Sequence, residues 1–116
     1  MSKIVIIGRI PSKKNGRINT RSGRSFPSSK YTAWHKDASY QLKTQKIKPF
    51  PIEMGITLTF YMPDDRKCDL SNKCESVMDL LVDNGVIEDD AWQKTGDVHL
   101  IAGGIDRKNP RVDISY

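Results

Sequence analysis

Residues 52–90 read IEMGITLTFYMPDDRKCDLSNKCESVMDLLVDNGVIEDD, and this stretch decides the fold class. Apolar and polar side chains alternate over residues 52–62, which predicts a strand with one face on a hydrophobic core. From Leu70 the apolar residues recur at helical spacing for three turns, which predicts an amphipathic helix. Asp69 stands at the N-cap position of that helix, and Gly85 stands where a glycine commonly ends one.

The flanking sequence adds one helix and three strands to this central pair. Residues 3–8, rich in β-branched side chains, and residues 97–102 are predicted strands. Residues 30–46 have helical spacing and end before a proline. Gly103-Gly104 is predicted to turn the chain into a last strand over residues 111–116, with Val112 and Ile114 facing inward.

The resulting order is strand, long basic loop, helix, strand, helix, strand, strand. Interleaved strands and helices predict an α/β fold of the α+β kind, with a mixed sheet and two main helices on one or both faces. We expect one small domain over residues 1–116. Tyr31 and Trp34 lie on one face of the first helix, where we expect them in the core, with base stacking as the alternative.

Length and composition exclude several classes of protein. The chain has 116 residues and a mass of 13.2 kDa, which is one domain. Its 37% hydrophobic and 28% charged residues argue against a disordered chain. The longest apolar run, residues 4–7, is far shorter than a membrane span or a signal peptide requires. Cys68 and Cys74 make no disulfide framework, so we expect a protein of the reducing cytoplasm without a membrane partner.

Charge is distributed unevenly along the chain. The formal net charge is +5, yet residues 1–40 hold nine basic residues and one acidic residue. Residues 63–90 hold nine acidic residues and three basic ones. A basic arm joined to an acidic cluster suggests an anionic partner and a cation held by the acids. The alternative is a chance distribution of charges over a solvated surface.

The basic arm coincides with a long segment, residues 9–29, that is rich in turn-forming residues and has no periodicity. Loops of this length are usually functional or disordered, and we expect this one to contact nucleic acid. The predicted DNA-binding residues comprise seven from the segment and two basic residues ahead of the second helix: Arg9, Lys13, Lys14, Asn15, Arg17, Arg21, Arg24, Arg66 and Lys67.

The second helix presents acidic and amide side chains on one face. Starting from Asp69, the residues Asn72, Glu75 and Asp79 share that face. The return from Gly85 to Asp90 covers about six residues, enough to bring the chain back along the helix. The acids at the end of that return then come near the first turns of the helix.

Asp69, Glu75 and Asp90 could therefore converge, with Asp89 beside them. Clustered carboxylates repel one another unless a cation lies among them, and oxygen ligands suit Mg²⁺ or Mn²⁺. These metals activate water for phosphodiester hydrolysis. The alternative is that Asp69 interacts with the helix dipole and that the other acids are solvated.

The same residues carry a resemblance to a known family. The run DLSNKCE at residues 69–75, then Asp79, then GVIEDD at residues 85–90 resembles the motif of the RusA family of Holliday-junction resolvases. Pro11-Ser12, followed by Asn15, is similar to the start of that family. The resemblance covers the chain in element order and is most specific over residues 69–90.

The resemblance implies a small homodimeric endonuclease, of a kind often encoded by phages or prophages. It implies a need for Mg²⁺ or Mn²⁺, recognition of four-way DNA junctions by their structure, and paired nicking in DNA recombination and repair. By position, Asp69 and Asp90 would be the catalytic acids, with Asn72 and Asp89 alongside.

The sequence departs from the family motif at two positions. Ser71 stands where the family has an aspartate, and Glu75 stands where it has a lysine. Since the two positions are one helical turn apart, Glu75 is predicted to replace the missing ligand. Lys73, or else Lys67, would then supply the missing positive charge, Lys73 being the closer. The alternatives are a non-catalytic DNA-binding relative and, more remotely, a small basic protein that binds RNA or another protein.

Overall fold

A computed structural model describes residues 3–12, 17–19, 25–27, 29–47 and 55–116. Within these ranges, no helix has the length and apolar character needed to cross a bilayer. The elements follow in chain order: β1 (Lys3–Ile7), β2 (Arg17–Asn19), β3 (Ser25–Pro27), α1 (Ser29–Thr44), β4 (Ile56–Met62), α2 (Leu70–Asp83), α3 (Trp92–Thr95), β5 (Val98–Ile105) and β6 (Arg111–Ser115).

The main sheet has the strand order β1-β6-β4-β5. β6 pairs antiparallel with both β1 and β4, whereas β5 pairs parallel with β4. The predicted α+β fold with a mixed sheet is therefore confirmed. Because β4 and β6 are internal strands and β1 and β5 are edges, the chemistry of those two edges decides what else the sheet can pair with.

The alternation in β4 places its two faces in different surroundings. Ile56, Leu58 and Phe60 are at most 1% exposed and belong to one core with the buried faces of α1 and α2, whereas Thr57 and Thr59 are only half-buried. One face of the sheet thus packs under both helices, which is what the period-2 pattern predicted.

The core also takes up the aromatic stripe of α1. Tyr31 and Trp34 are each 9% exposed, and their rings lie 5.9 Å apart between centroids. Their predicted place in the core is confirmed, so they do not form an exposed stacking platform. On β6, the inward positions of Val112 and Ile114 are also confirmed, since neither has measurable exposure.

Gln41 of α1 and Gln45, just beyond the end of that helix, close the outer edge of β1. The side-chain amide of Gln41 accepts from the Ile7 N–H and donates to the Ile7 carbonyl, with both distances at 2.7 Å. One helical turn later, Gln45 makes the same pair of bonds to the backbone of Val5, at 3.2 and 2.8 Å. The two amides therefore take the place of a neighbouring strand.

The predicted turn at Gly103-Gly104 is wrong, because both glycines lie inside β5. The β4–β5 register shifts there, so that Phe60 pairs with Ala102 and Tyr61 with Gly104. A Cβ on Gly103 would approach the Tyr61 ring to 2.8 Å, which explains the glycine as a close contact under the ring. The chain turns later, where Asp106 accepts the Arg111 guanidinium at 2.8 Å.

Two further elements differ from the predictions, and one predicted strand is described only in part. The segment over residues 9–29, expected to lack regular structure, contains β2 and β3 as a short antiparallel pair. α3 was not predicted, because four residues are too few to show a helical period. The predicted strand over residues 52–62 is described only from β4 onward, and its first three residues lie outside the described part.

We predict that the double variant Gln41→Leu/Gln45→Leu loses roughly 1–3 kcal/mol of unfolding free energy, because four hydrogen bonds to the β1 edge disappear. It should also self-associate more readily, since that edge becomes available for pairing. Urea denaturation and light scattering measure the two effects. Gln93→Leu, an exposed glutamine of α3, is the control, and equal behaviour of the two proteins would contradict an edge-closing role.

Candidate nucleic-acid interface and carboxylate site

A groove of about 900 Å³ lies beside the N-terminus of α2. Its walls come from residues 9–12 after β1, from the first turns of α1, and from residues 66–73. The charged side chains among its lining residues are five cationic and one anionic: Arg9, Lys30, Arg66, Lys67 and Lys73, with Asp69. Such a surface suits a polyanion, one of whose negatively charged groups would lie next to the Asp69 carboxylate.

Two bonds from α2 hold one wall of the groove. The buried Lys73 ammonium donates to the Ile10 carbonyl at 2.5 Å, and the fully buried Ser76 hydroxyl donates to the Pro11 carbonyl at 2.7 Å. Burial lowers the pKa of Lys73 below its usual value, and the nearby Arg9 charge lowers it further. These two bonds fix the start of the basic arm to the helix that follows Asp69.

This contact bears on the predicted role of Lys73. We expected Lys73 to supply a charge at the reaction centre. The residue is only 8% exposed, and its ammonium donates to a backbone carbonyl instead. Lys67, the other candidate, is exposed and also lines the groove. The arrangement favours Lys67 for contact with a ligand and Lys73 for holding the groove wall.

Asp64 orients two arginines of the groove. Its carboxylate lies 3.9 Å from the Arg9 guanidinium and 3.3 Å from that of Arg66, and it also accepts from the Arg66 N–H at 3.0 Å. Both arginine side chains remain more than half exposed. Asp64 thus restrains them without neutralising the whole groove, in which three lysines remain.

Asp69 stands at the N-cap position of α2, as predicted, with extended backbone angles, but its side chain makes no capping hydrogen bond. Its carboxylate instead accepts from the Asn72 side-chain amide at 3.4 Å. Both residues line the groove, and Asp69 is exposed. A carboxylate that does not cap its own helix keeps its oxygens available to a cation or a water molecule.

The acids after α2 return toward the first half of that helix. Gly85 ends α2 with φ +67°, and the next two residues, Val86 and Ile87, are buried in the core. Burial raises the pKa of the Cys74 thiol, and the negative charges of Glu75 and Asp90 raise it further. Asp90 therefore lies within electrostatic range of the N-terminal half of α2, which the length of the return predicted.

The predicted convergence of Asp69, Glu75 and Asp90 is not present as a cluster. Within the described ranges, no three His, Cys, Asp or Glu side chains lie close enough together to hold a metal ion. The acids lie in different places. Asp69 lines the groove, whereas the charges of Glu75 and Asp90 lie near the Cys74 thiol, which is not a groove residue. Asp89 accepts the Asp90 N–H at 2.7 Å, which ties up one of its oxygens.

The donor chemistry nevertheless fits a hard divalent cation. Asp69, Glu75, Asp89 and Asp90 are all exposed carboxylates, and none of them forms an ion pair with another described residue. Oxygen donors of this kind are the ligands of Mg²⁺ and Mn²⁺. Three other polar residues of α2 were singled out from the sequence: Asn72 contacts Asp69, Ser71 is exposed and Asp79 is half-buried.

The predicted DNA-binding residues fall into three groups. Arg9, Arg66 and Lys67 line the groove. Arg17 lies in β2, where only its backbone is described. The remaining five lie outside the described residues: Lys13, Lys14, Asn15, Arg21 and Arg24.

The sequence analysis missed other groove residues. Lys30 at the start of α1 could have been found from its charge beside the basic arm. Ser12 and Trp34 could not have been found from the sequence, because only the tertiary structure shows that they line the groove. The Ser12 hydroxyl and the Trp34 indole N–H are buried without a hydrogen-bond partner, and both residues line the groove. Unpaired buried donors are uncommon and often mark a ligand site.

Comparisons with known proteins agree with this picture. Residues 8–115 match the model of a protein family described as Endodeoxyribonuclease RusA. A curated protein, the crossover junction endodeoxyribonuclease RusA of Aquifex aeolicus (strain VF5), is 29% identical over 86 residues. That alignment covers 72% of this chain and 68% of the relative. The family match includes the groove, α2 and the acids that follow it.

The contact of Lys73 with Ile10 predicts a difference between two lysines of the groove. Lys73→Met should lower the free energy of unfolding by about 1–3 kcal/mol, because the Ile10 carbonyl loses a charged donor. Lys67→Met, at an exposed lysine, should change it by less than about 0.5 kcal/mol. Denaturant titration of both variants measures the difference. Equal stability of the two would show that the buried bond does not hold the groove wall.

Proposed function

The chain belongs to the RusA family of endodeoxyribonucleases, and we propose that it resolves four-way DNA junctions by metal-assisted, paired nicking. It is an endonuclease that hydrolyses phosphodiester bonds of DNA, in a family of junction-resolving enzymes of recombination. The observation that carries the finer proposal is the groove, in which one exposed carboxylate, Asp69, stands among five cationic side chains. A phosphodiester bound by the cations lies next to the acid.

Binding rests on the cations of the groove and of the basic arm. Arg9 and Arg66, held by Asp64, present guanidinium groups to phosphate oxygens, and Lys30 and Lys67 add point charges. The Lys73 and Ser76 bonds to the backbone keep this wall at a fixed distance from Asp69. Recognition of phosphates rather than bases agrees with selection of a branched DNA by its shape.

For the chemistry, we propose that Asp69, Asp90 and Glu75 hold Mg²⁺ or Mn²⁺, with Asp89 contributing, so that metal binding would draw together side chains that do not form a cluster in the described structure. When bound, the ion would supply an activated water and charge stabilisation at the phosphate. Asn72 orients the Asp69 carboxylate through its side-chain amide. Glu75 stands where the family motif has a lysine, and its exposed side chain offers the carboxylate that Ser71 lacks.

Paired nicking requires two active sites related by a twofold axis, because a four-way junction is itself symmetric. We therefore propose that the active form is a homodimer. We propose branched DNA as its substrate and the cytoplasm of a bacterial or phage-infected cell as the place of action. A non-catalytic DNA-binding relative is the alternative, and the altered residues Ser71 and Glu75 are what favour it.

The proposed ligands predict a separation of cleavage from binding. Asp69→Asn, Asp90→Asn and Glu75→Gln should each reduce nicking of a synthetic four-way junction by roughly 100-fold or more, because each removes a metal ligand. Junction binding should stay equal or tighten, since a negative charge near the phosphate is lost. Calorimetry with Mn²⁺ alone should show weaker metal binding.

The control is Asp65→Asn, an exposed acid ahead of α2 and outside the groove lining, which should behave as the parent protein. Nicking at the parent rate by the Asp69 or Asp90 variant would contradict the proposed reaction centre. If only Glu75→Gln keeps parent activity and metal affinity, Glu75 is not the replacement ligand. A parent protein that binds junctions without nicking them in Mg²⁺ or Mn²⁺ would establish the non-catalytic alternative.

The groove also predicts a specific salt dependence of DNA binding. Each phosphate contact contributes about 0.9 to the slope of log affinity against log salt on duplex DNA. Arg66→Gln/Lys67→Gln should therefore reduce the slope by about 1–2. Lys43→Gln/Lys46→Gln makes the same change of charge at the far end of α1 and should leave the slope nearly unchanged. Equal slopes for the two double variants would place the DNA surface away from the groove.

A further inference from the structure

Two buried hydrogen-bond donors of the groove have no acceptor. The Trp34 indole N–H and the Ser12 hydroxyl are shielded from water, and neither has a hydrogen-bond partner within the described part of the chain. Both residues line the groove, together with Asp69. About nine-tenths or more of the buried polar groups in proteins are paired, because an unpaired group loses its water without compensation. Two such donors in one groove indicate an acceptor that comes from a ligand.

Packing holds the Trp34 ring in the wall of the groove. The residue is only 9% exposed, and its ring centroid lies 5.9 Å from that of Tyr31 and 6.4 Å from that of His35. The His35 ring is in turn bonded to the Asp83 carboxylate at 2.9 Å, which ties α1 to α2. Since the indole N–H is part of a rigid, packed ring, it cannot turn toward bulk water without repacking the core.

The backbone that carries the Ser12 hydroxyl is also held. The carbonyls of the two preceding residues, Ile10 and Pro11, accept hydrogen bonds from Lys73 and Ser76 of α2. The backbone at Ser12 therefore has little freedom to carry the hydroxyl to another partner. The hydroxyl can still rotate about its own C–O bond, so it can donate to a group that enters the groove.

The surroundings of the two donors define the acceptor that fits them. An indole N–H donates and never accepts, so its partner must be an acceptor such as an oxygen atom. The five cationic side chains that line the groove favour a negatively charged group over a neutral one. A phosphate oxygen of DNA meets both conditions, whereas the edge of a base carries no charge.

We propose that the Trp34 indole N–H and the Ser12 hydroxyl each donate to a phosphate oxygen of the bound DNA strand and thereby position that strand in the groove. The assignment rests on the proposed function, because it names contacts that the DNA substrate makes there. Arg9 and Arg66 are more than half exposed and attract the strand. The two neutral donors are built into the wall and fix where the phosphates lie relative to Asp69.

The two donors are covered in the free protein, and this sets how they act. The exposed side chains of Lys30 and Lys67 line the same groove, and their motion toward a phosphate uncovers the wall. Because the donors are already withdrawn from water, pairing them with a phosphate restores hydrogen bonds at little desolvation cost to the protein. A neutral donor releases no counterion, so these bonds strengthen binding without adding to its salt dependence.

The indole N–H signal tests the Trp34 contact at the atom itself. The chain has two tryptophans, and Trp92 is 75% exposed and is not a groove residue, so Trp92→Phe leaves Trp34 as the single indole in a nitrogen–proton correlation spectrum. Adding a four-way junction in EDTA should move the Trp34 proton signal downfield, because a charged oxygen makes a strong hydrogen bond. A signal that stays in place while the DNA is bound would overturn the Trp34 contact.

Two variants measure what the contacts contribute. Trp34→Phe and Ser12→Ala should each weaken junction binding in EDTA by roughly tenfold, because each removes one hydrogen bond to a charged group. The factor should be the same at every salt concentration, unlike that of a variant that removes a cation. Trp92→Phe and Ser115→Ala, which make the same changes outside the groove, are the controls and should bind as the parent protein. Ser115 is half-buried, as Ser12 is.

Binding at the parent level by Trp34→Phe and Ser12→Ala would overturn the proposal. A loss that varies with the base sequence of the junction would overturn it too, because phosphates carry no sequence information. Circular dichroism shows whether Trp34→Phe folds, and if it does not, Ser12→Ala and the indole signal decide.

The outcomes separate these contacts from the nuclease proposal. A shifted indole signal and weakened variants, in a protein that never nicks junctions in Mg²⁺ or Mn²⁺, would keep the contacts and remove the proposed function. Nicking by a protein whose indole signal and variants do not respond would keep the function and remove the contacts. A parent protein that binds no DNA would remove both.

Discussion

The groove depends on one buried charge. Lys73 lies in the second turn of α2 with its ammonium withdrawn from water, and the carbonyl of Ile10 compensates that burial. Ser76, three residues on, bonds the next carbonyl along the chain. Removing a buried charge's partner is costly, so the first residues of the basic arm are held on the helix that carries the acids. The basic residues at the start of the arm are thereby held against the helix that follows Asp69.

This arrangement explains how cations and carboxylates coexist at one site. Arg9 and Arg66 share the carboxylate of Asp64, which limits their direct pairing with Asp69. Asp69 in turn is engaged only weakly by Asn72, at 3.4 Å, and its side chain does not cap α2. The acid is therefore free to act on a bound group rather than to neutralise the groove.

The two edges of the main sheet also differ in whether their outward backbone groups are hydrogen-bonded. Gln41 and Gln45 satisfy one edge from within the chain, which protects β1 from pairing. β5 has no such protection among the described residues and carries its apolar side chains in the open.

The sequence by itself determined the elements that depend on local periodicity. The alternation that became β4, the helical spacing of α2 and the glycine end at Gly85 are all short-range patterns, and each appears in the structure. The order of the acids after Gly85 also predicted that Asp90 returns toward α2. The family motif over residues 69–90 could be read in the same way, because its spacing is local.

Only the tertiary structure decided what individual side chains do. Lys73 and Ile10 are 63 residues apart, and Gln41 and Ile7 are 34 apart, so no local pattern marks either contact. Gly103 was taken for a turn because the sequence does not show the Tyr61 ring that lies against it. Periodicity reports which face of an element is apolar, whereas the partner of a polar side chain is set by distant segments that meet only after folding.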